Sequence, residues 1–185
     1  MKIKRVFNQI IKPYKKIIKD ITGNYTDIRV TIGSNFCCFC RDVEDLEIEV
    51  PIFEDIMGHQ AFINKMHKRL KQYNIQGDYT PEILSFLHEI GHIYTYNKIN
   101  DFIYCKATTL ITKLQAKFFS NSKLMTNLCY KAYFNLALER NADKWAMTYI
   151  KEHQEQVQEW QELLNKNYKK IIPKFLEKVE ELEVA

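Results

Sequence analysis

The chain has 185 residues, of which 46% are hydrophobic and 27% are charged, and its formal net charge at pH 7 is +4. This composition is typical of a globular protein with one well-filled core, and it excludes low-complexity and repeat proteins because no linker-like or periodic segment occurs. No apolar run approaches a membrane span, and the N-terminus lacks the apolar stretch of a secretory signal, so we expect a cytoplasmic protein. The small numbers of glycines and prolines favour long helices over many short strands.

The first 21 residues predict a basic, amphipathic helix. Seven basic residues lie in this segment beside one acid, Asp20. Such a helix can contact phosphates or an anionic membrane surface. We favour a solvated basic face, because the apolar residues recur at helical spacing and can pack inward. These apolar residues are Val6, Ile10, Ile11, Tyr14, Ile17, Ile18 and Ile21.

Three short segments that follow predict strands. Ile28–Ile32 and Leu46–Val50 alternate apolar and polar side chains, and Phe36–Cys40 lies between them. Pro51 follows the third segment, and proline is tolerated in a sheet chiefly at an edge. We therefore predict a small, mainly antiparallel sheet whose third strand is the exposed edge.

The five cysteines are an odd number, which suits a reducing compartment. Cys37 and Cys40 form a C-x-x-C pair, the half-site of many structural zinc sites, but Cys105 and Cys129 stand alone and supply no second pair. We interpret the cysteines, including Cys38, as core thiols and leave a metal or redox role as the alternative.

The remainder of the chain predicts helices. Their predicted ranges are 52–73, 81–96, 104–119, 124–153 and 156–184, the last interrupted at Pro173. Thr80 and Pro81 mark one helix start, with a capping hydroxyl followed by a proline in the first turn. The first of these helices carries a basic patch that we interpret as solvated surface, formed by Lys65, Lys68, Arg69 and Lys71.

The helix that begins at Pro81 carries the segment His88-Glu89-Ile90-Gly91-His92. His88 and His92 are four residues apart, so both imidazoles project from one face and can bind one ion with Zn–N bonds of about 2.0–2.1 Å. Glu89 is rotated around the helix, where its carboxylate can act as a general base without being a ligand. Zinc lowers the pKa of a bound water to about 7, which suits a carboxylate base at neutral pH.

A catalytic zinc site with two histidines needs a third protein ligand, and Glu139 is the best candidate. One face of its helix combines two acids with two alanines, Glu139, Ala142, Asp143 and Ala146. The alanines let this helix approach Gly91. A glycine in a helix interior costs about 1 kcal/mol relative to alanine, and the close approach of another backbone is the usual reason for one. Glu139 then reaches the metal, and Asp143 accepts the N–H of a ligand histidine. The alternative is a solvated pair of acids that form ion pairs with lysines.

Other third ligands are poorer candidates. An H-E-x-x-H-x-x-G-x-x-H site would need glycine and histidine where Thr95 and Lys98 stand. His59 and His67 precede the motif in a predicted helix, and His153 lies in a polar run.

The two motifs resemble those of the gluzincin peptidases, in which H-E-x-x-H is followed downstream by E-x-x-x-D. The stretches Leu-His-Glu-Ile-Gly-His-Ile (87–93) and Glu-Arg-Asn-Ala-Asp-Lys-Trp-Ala (139–146) are similar to those of ImmA/IrrE-type metallopeptidases from bacterial mobile elements and phages. The resemblance covers the chain from about Leu46 to Ile150 and implies a Zn²⁺ cofactor.

Residue by residue, the resemblance implies three zinc ligands, His88, His92 and Glu139. It implies Glu89 as the catalytic acid/base and Asp143 as the partner of a ligand histidine.

The resemblance also carries expectations about substrate. In such enzymes an edge strand above the active-site helix pairs with the substrate backbone, and Leu46–Val50 is the candidate here. A tyrosine or histidine donates a hydrogen bond to the oxyanion, and Tyr130 and Tyr133 are the candidates. Many relatives carry a helix-turn-helix domain, but none is visible in this sequence, so no nucleic-acid binding is expected.

We therefore predict a zinc metallopeptidase made of one helix-rich, zincin-like α+β domain over residues 1–185. Within it, residues 1–23 form the basic helix, 24–153 the catalytic core and 154–185 an amphipathic helical segment. The expected substrate is a protein or peptide, and a regulatory protein of a phage or mobile element is one candidate. The alternative is a non-catalytic zincin-like protein that binds a partner through its terminal segments, although a structural zinc site would not need Glu89. A DNA- or membrane-associated regulator built on the basic helix is the third possibility.

Overall fold

The computed structural model describes residues 3–23, 28–33, 37–40, 46–51, 56–96, 98–118 and 123–183. Helices dominate these residues, as the predicted helix-rich α+β class requires. The elements in chain order are α1 (Ile3–Thr22), β1 (Ile28–Gly33), β2 (Cys37–Cys40), β3 (Leu46–Pro51), α2 (Ile56–Gln72), α3 (Pro81–Thr95), α4 (Lys98–Phe118), α5 (Lys123–Phe134), α6 (Ala137–Glu152) and α7 (Gln154–Glu183).

The helices differ from the prediction in two places. The single helical stretch predicted over 124–153 is wrong, because Leu136 has an extended backbone that separates α5 from α6. The apolar periodicity of residues 124–153 continues through this break, so the sequence pattern alone did not reveal the break. The predicted interruption at Pro173 is also wrong, since α7 continues through that residue.

The sheet is mixed, so the prediction of a mainly antiparallel sheet is wrong. Its strand order is β1-β3-β2, with β1 parallel and β2 antiparallel to β3. Alternating side chains define the two faces of a strand but not the direction of its neighbour. A parallel pair needs a connection of about a dozen residues, and the segment between β1 and β3 provides it while also containing β2.

β3 is the central strand, so its assignment as the exposed edge is also wrong. The strands at the two edges of the described sheet are β1 and β2. Pro51 had suggested the edge, but it is the last residue of β3, opposite Gly33. A proline at a strand end removes no hydrogen bond from the middle of the ladder, which makes the central position tolerable.

The core lies between the sheet and the helices. Ile48 and Val50 of β3 are fully buried, as is the apolar surface of α3. The terminal helices α1 and α7 pack on each other, and Tyr14 and Trp160 are buried in the same core. The apolar side of α1 and that of the first half of α7 are therefore occupied within the fold. Among the residues that the structure covers, no helix is at once long and apolar enough to cross a bilayer.

Candidate metal centre

The helix α3 begins as its sequence predicts, although the cap differs. Thr80 is extended, its carbonyl accepts the N–H of Leu84 at 3.2 Å, and Pro81 occupies the first turn. The Thr80 hydroxyl makes no capping hydrogen bond; instead the Thr80 N–H donates to Gln161 Oε1 at 2.7 Å. From residue 83 to residue 91 every position is buried, so His88 and Glu89 enter the interior with the apolar side chains.

The predicted close approach of α3 and α6 is confirmed, and Gly91 is the contact point. A Cβ atom built on Gly91 would lie 2.6 Å from the carbonyl oxygen of Ala142 and 3.0 Å from its Cα. No side chain fits in that space. Glycine on one helix and alanine on the other therefore bring the acids of α6 against the histidines of α3.

This approach brings His88, His92 and Glu139 together. One ligand atom from each lies within 4.8 Å of the other two. The His88 Nε2–Glu139 Oε2 distance is 3.2 Å, and the His92 Nε2–Glu139 Oε1 distance is 3.5 Å. Two imidazoles and a carboxylate that converge at this spacing are a donor set that suits zinc. All three residues proposed as ligands therefore lie in one cluster.

Asp143 lies beside the second ring nitrogen of His88, Nδ1. Its Oδ1 lies 3.0 Å from His88 Nδ1, which leaves His88 Nε2 to face Glu139. Metal-binding histidines characteristically give their second nitrogen to a carboxylate in this way. The structure thus places Asp143 beside a histidine of the cluster, as the sequence predicted.

Burial and neighbouring charges shift the pKa values of the residues in the cluster in different directions. Burial alone would lower the pKa of His88, but its contacts with Asp143 and Glu139 raise that pKa to about 9. Burial and the nearby charge of His88 lower the pKa of His92 to about 4, so His92 is neutral at pH 7. Burial would raise the pKa of both carboxyls, yet the adjacent His88 lowers that of Glu139 to about 2 and that of Asp143 below its ordinary value. Both acids are therefore anions here.

Glu89 and Tyr133 border the cluster. Glu89 is only 8% exposed, and its charge is one of those that raise the pKa of His88. The Tyr133 hydroxyl lies 2.7 Å from that of Tyr104. Burial, reinforced by the charge of Glu139, raises the pKa of Tyr133 well above its ordinary value, so this hydroxyl keeps its proton.

The sequence interpretation missed two cations. Lys65 and Arg69 were assigned to solvated surface, but Lys65 Nζ lies 2.8 Å from Asp143 Oδ1 and Arg69 Nε lies 3.6 Å from Asp143 Oδ2. The Lys65 side chain is only 11% exposed. A signal was present, because Phe62, Lys65 and Arg69 recur at helical spacing on one face of α2.

Other sequence candidates lie outside the cluster. His67 and His153 are exposed. The side chains of His59, Tyr130 and Cys37–Cys40 are outside the described part of the chain, so the C-x-x-C and Tyr130 hypotheses stay predictions.

Comparison with known proteins finds no matching family model, no matching curated protein and no matching solved structure. A buried carboxylate faces two imidazole nitrogens, and a further acid and two cations surround them. This donor chemistry fits one divalent ion of the kind that binds nitrogen and oxygen ligands.

Proposed function

We propose that this chain is a zinc-dependent metallopeptidase of the gluzincin type. The observation that carries the proposal is the convergence of His88, His92 and Glu139 beside a buried Glu89. Three protein ligands are typical of catalytic zinc sites, which keep one position open for the reaction, whereas structural sites use four.

Each residue has a defined part in peptide-bond hydrolysis. When bound, zinc would act as a Lewis acid toward water and the scissile carbonyl. Glu89 removes the proton from the attacking water and delivers it to the leaving amine, and its burial strengthens these electrostatic interactions. Tyr133 retains its hydroxyl proton and can donate a hydrogen bond to the developing oxyanion. Asp143 keeps His88 oriented toward Glu139.

The proposed substrate is a protein or peptide that binds as an extended strand. β3 cannot receive it, because both sides of β3 are already paired. β2 is an edge strand of the described sheet and contacts α3, so it is the better candidate for pairing with a substrate backbone. The resemblance of the motifs suggests a regulatory protein of a phage or mobile element as the target.

Metal content is the first test of the proposal. Purified wild-type protein, never exposed to added zinc, should contain about one zinc per chain by elemental analysis. His88→Ala and Glu139→Ala should lose it, whereas exposed His153→Ala should retain it. Retention of the wild-type zinc content by Glu139→Ala would show that the ligand assignment is wrong.

Catalysis is tested separately with Glu89→Gln, which preserves shape and removes the base. The variant should keep zinc but lose cleavage of a peptide library derived from a whole proteome, with the products read by mass spectrometry. Sequence-specific cleavage by wild type that Glu89→Gln abolishes would support the proposal. A zinc-loaded wild type that cuts none of these peptides would favour the second function.

The second candidate is a zincin-like protein that acts by binding a partner. The apolar sides of α1 and of the first half of α7 are buried, which disfavours the partner surfaces expected from the sequence. The observation that favours this function lies on α4 instead. There, three large apolar side chains are 55–64% exposed, namely Phe102, Ile103 and Leu110.

A further inference from the structure

Lys65 is enclosed by the candidate metal centre rather than by solvent. Its Nζ lies 2.8 Å from Asp143 Oδ1 and 3.9 Å from Glu139 Oε2, an oxygen of a proposed ligand. The same ammonium lies 4.8 Å from the ring centroid of Phe62 and 4.5 Å from that of Phe134. Two carboxylates and two aromatic faces therefore hold one positive charge beside the ligand set.

A fixed cation at this position competes with a metal ion for the same carboxylates. Lys65 Nζ lies 3.9 Å from an oxygen of a proposed ligand, so it also lies close to any metal ion which that oxygen binds. Like charges repel strongly in such a partly buried site, where the effective dielectric constant is about 20, and a divalent ion feels twice the repulsion of a single charge. Asp143 offsets part of this repulsion because it lies between Lys65 and His88. We therefore expect a net effect of about tenfold on the zinc dissociation constant.

We propose that Lys65 is a built-in counter-cation that weakens metal binding at the His88–His92–Glu139 cluster, an inference that rests on the proposed zinc site. Lys65 thereby sets the affinity of the site for its metal, so that zinc is held less tightly than the buried donor set alone would hold it. Arg69 acts in the same direction but more weakly, because its side chain is 30% exposed and its Nε lies 3.6 Å from Asp143 Oδ2.

The rival role for Lys65 is to orient Asp143, and loss of that orientation would weaken metal binding instead. Asp143 has other anchors, however. Its Oδ1 also lies 3.0 Å from His88 Nδ1, and its Oδ2 faces Arg69. Because these contacts remain without Lys65, we expect the removal of its charge to affect metal binding more than the loss of its contact with Asp143 does. The two roles thus predict opposite changes in metal affinity.

The experiment measures the zinc dissociation constant of metal-stripped protein by competition with a chromophoric chelator at pH 7. Lys65→Met removes the charge and keeps much of the volume, and it should bind zinc about tenfold more tightly than wild type. Lys65→Arg keeps the positive charge, so its zinc dissociation constant should stay within about threefold of the wild-type value. The matched control is Lys68→Met on the exposed side of α2, which removes the same charge and should leave the constant unchanged because solvent screens it.

Weaker or unchanged zinc binding by Lys65→Met, with its circular dichroism spectrum intact, would overturn the inference. If Lys65→Met does not fold, Lys65→Gln provides the test, because it also removes the charge: tighter zinc binding supports the counter-cation role, and weaker or unchanged binding refutes it. A wild type that binds no zinc would refute the proposed metal site itself. That result is distinguishable from every outcome among the variants.

Discussion

Replacement of Gly91 by alanine distinguishes two effects on the free energy of unfolding, the close packing of α3 against α6 and the intrinsic helix propensity of the residue. Propensity alone predicts that alanine in a helix interior raises the free energy of unfolding by about 1 kcal/mol. The structure predicts the opposite sign. The new Cβ would lie 2.6 Å from the Ala142 carbonyl oxygen, whereas ordinary contact begins at 3.4 Å, so the helices must separate by about 0.8 Å.

Overpacking of this kind costs typically 1–3 kcal/mol, because a rigid backbone cannot yield as a flexible side chain does. We therefore expect Gly91→Ala to lower the free energy of unfolding by about 1–3 kcal/mol, measured by urea denaturation of metal-stripped protein with circular dichroism detection. The same displacement moves Glu139 away from both histidines, so zinc should bind at least about tenfold more weakly.

A companion variant sharpens this test. The clash is with the backbone of Ala142, so Ala142→Gly in the Gly91→Ala background should not restore stability. A Gly91→Ala protein that is about 1 kcal/mol more stable than wild type would show that the two helices are not in close contact at this point. Full rescue by Ala142→Gly would show that the contact involves the Ala142 side chain instead.

Three further predictions concern the docking of α7, a buried hydroxyl and the oxyanion donor. Asp20 Oδ2 accepts a hydrogen bond from Trp160 Nε1 at 2.9 Å. Burial would raise the pKa of Asp20, but Lys16 and Trp160 lower it below its ordinary value. The ionised carboxylate therefore stabilises the fold at pH values above its unfolded pKa of about 4, and this stabilisation is lost as the pH falls through the lower pKa of the folded protein. Asp20→Ala should therefore lower the free energy of unfolding by about 1–2 kcal/mol at pH 7, with a difference from wild type that shrinks below pH 4 in acid titrations of urea denaturation. The buried Ser85 hydroxyl has no hydrogen-bond partner in the described part of the chain, so Ser85→Ala should raise the free energy of unfolding by about 0.5–1.5 kcal/mol, and a loss would reveal a partner. Tyr133→Phe should lower kcat by about 10²–10³-fold while zinc content is unchanged, and an unaltered kcat would remove Tyr133 from catalysis.

The cluster of His88, His92 and Glu139 could be predicted from sequence because most of the information that defines it is local. Four residues on a helix make one turn, so the spacing of His88 and His92 defines their relative position without knowledge of the fold. The combination of acids with small residues at 139–146 likewise indicated a face that packs inside the protein. Only the meeting of the two helices required tertiary information, and Gly91 supplied a sequence signal for it.

Features that depend on the order of elements could not be predicted in the same way. β3 was expected at an edge because Pro51 follows it, but strand order depends on how the chain crosses the sheet, and alternation of side chains carries no such information. Lys65 was misassigned for a related reason. A lysine on an amphipathic helix is usually solvated, and only the arrival of Asp143 from α6 makes its burial favourable.

The two site helices share one arrangement around their contact point. His88 and His92 lie three residues before and one residue after Gly91, and Glu139 and Asp143 lie at the same offsets from Ala142. The close contact at Gly91 and Ala142 therefore lies between the two polar residues of each helix, and the side chains of those residues meet beside it. Because a zinc site tolerates little error in its ligand distances, the smallest residues of both helices are as important to the proposed chemistry as the ligands themselves.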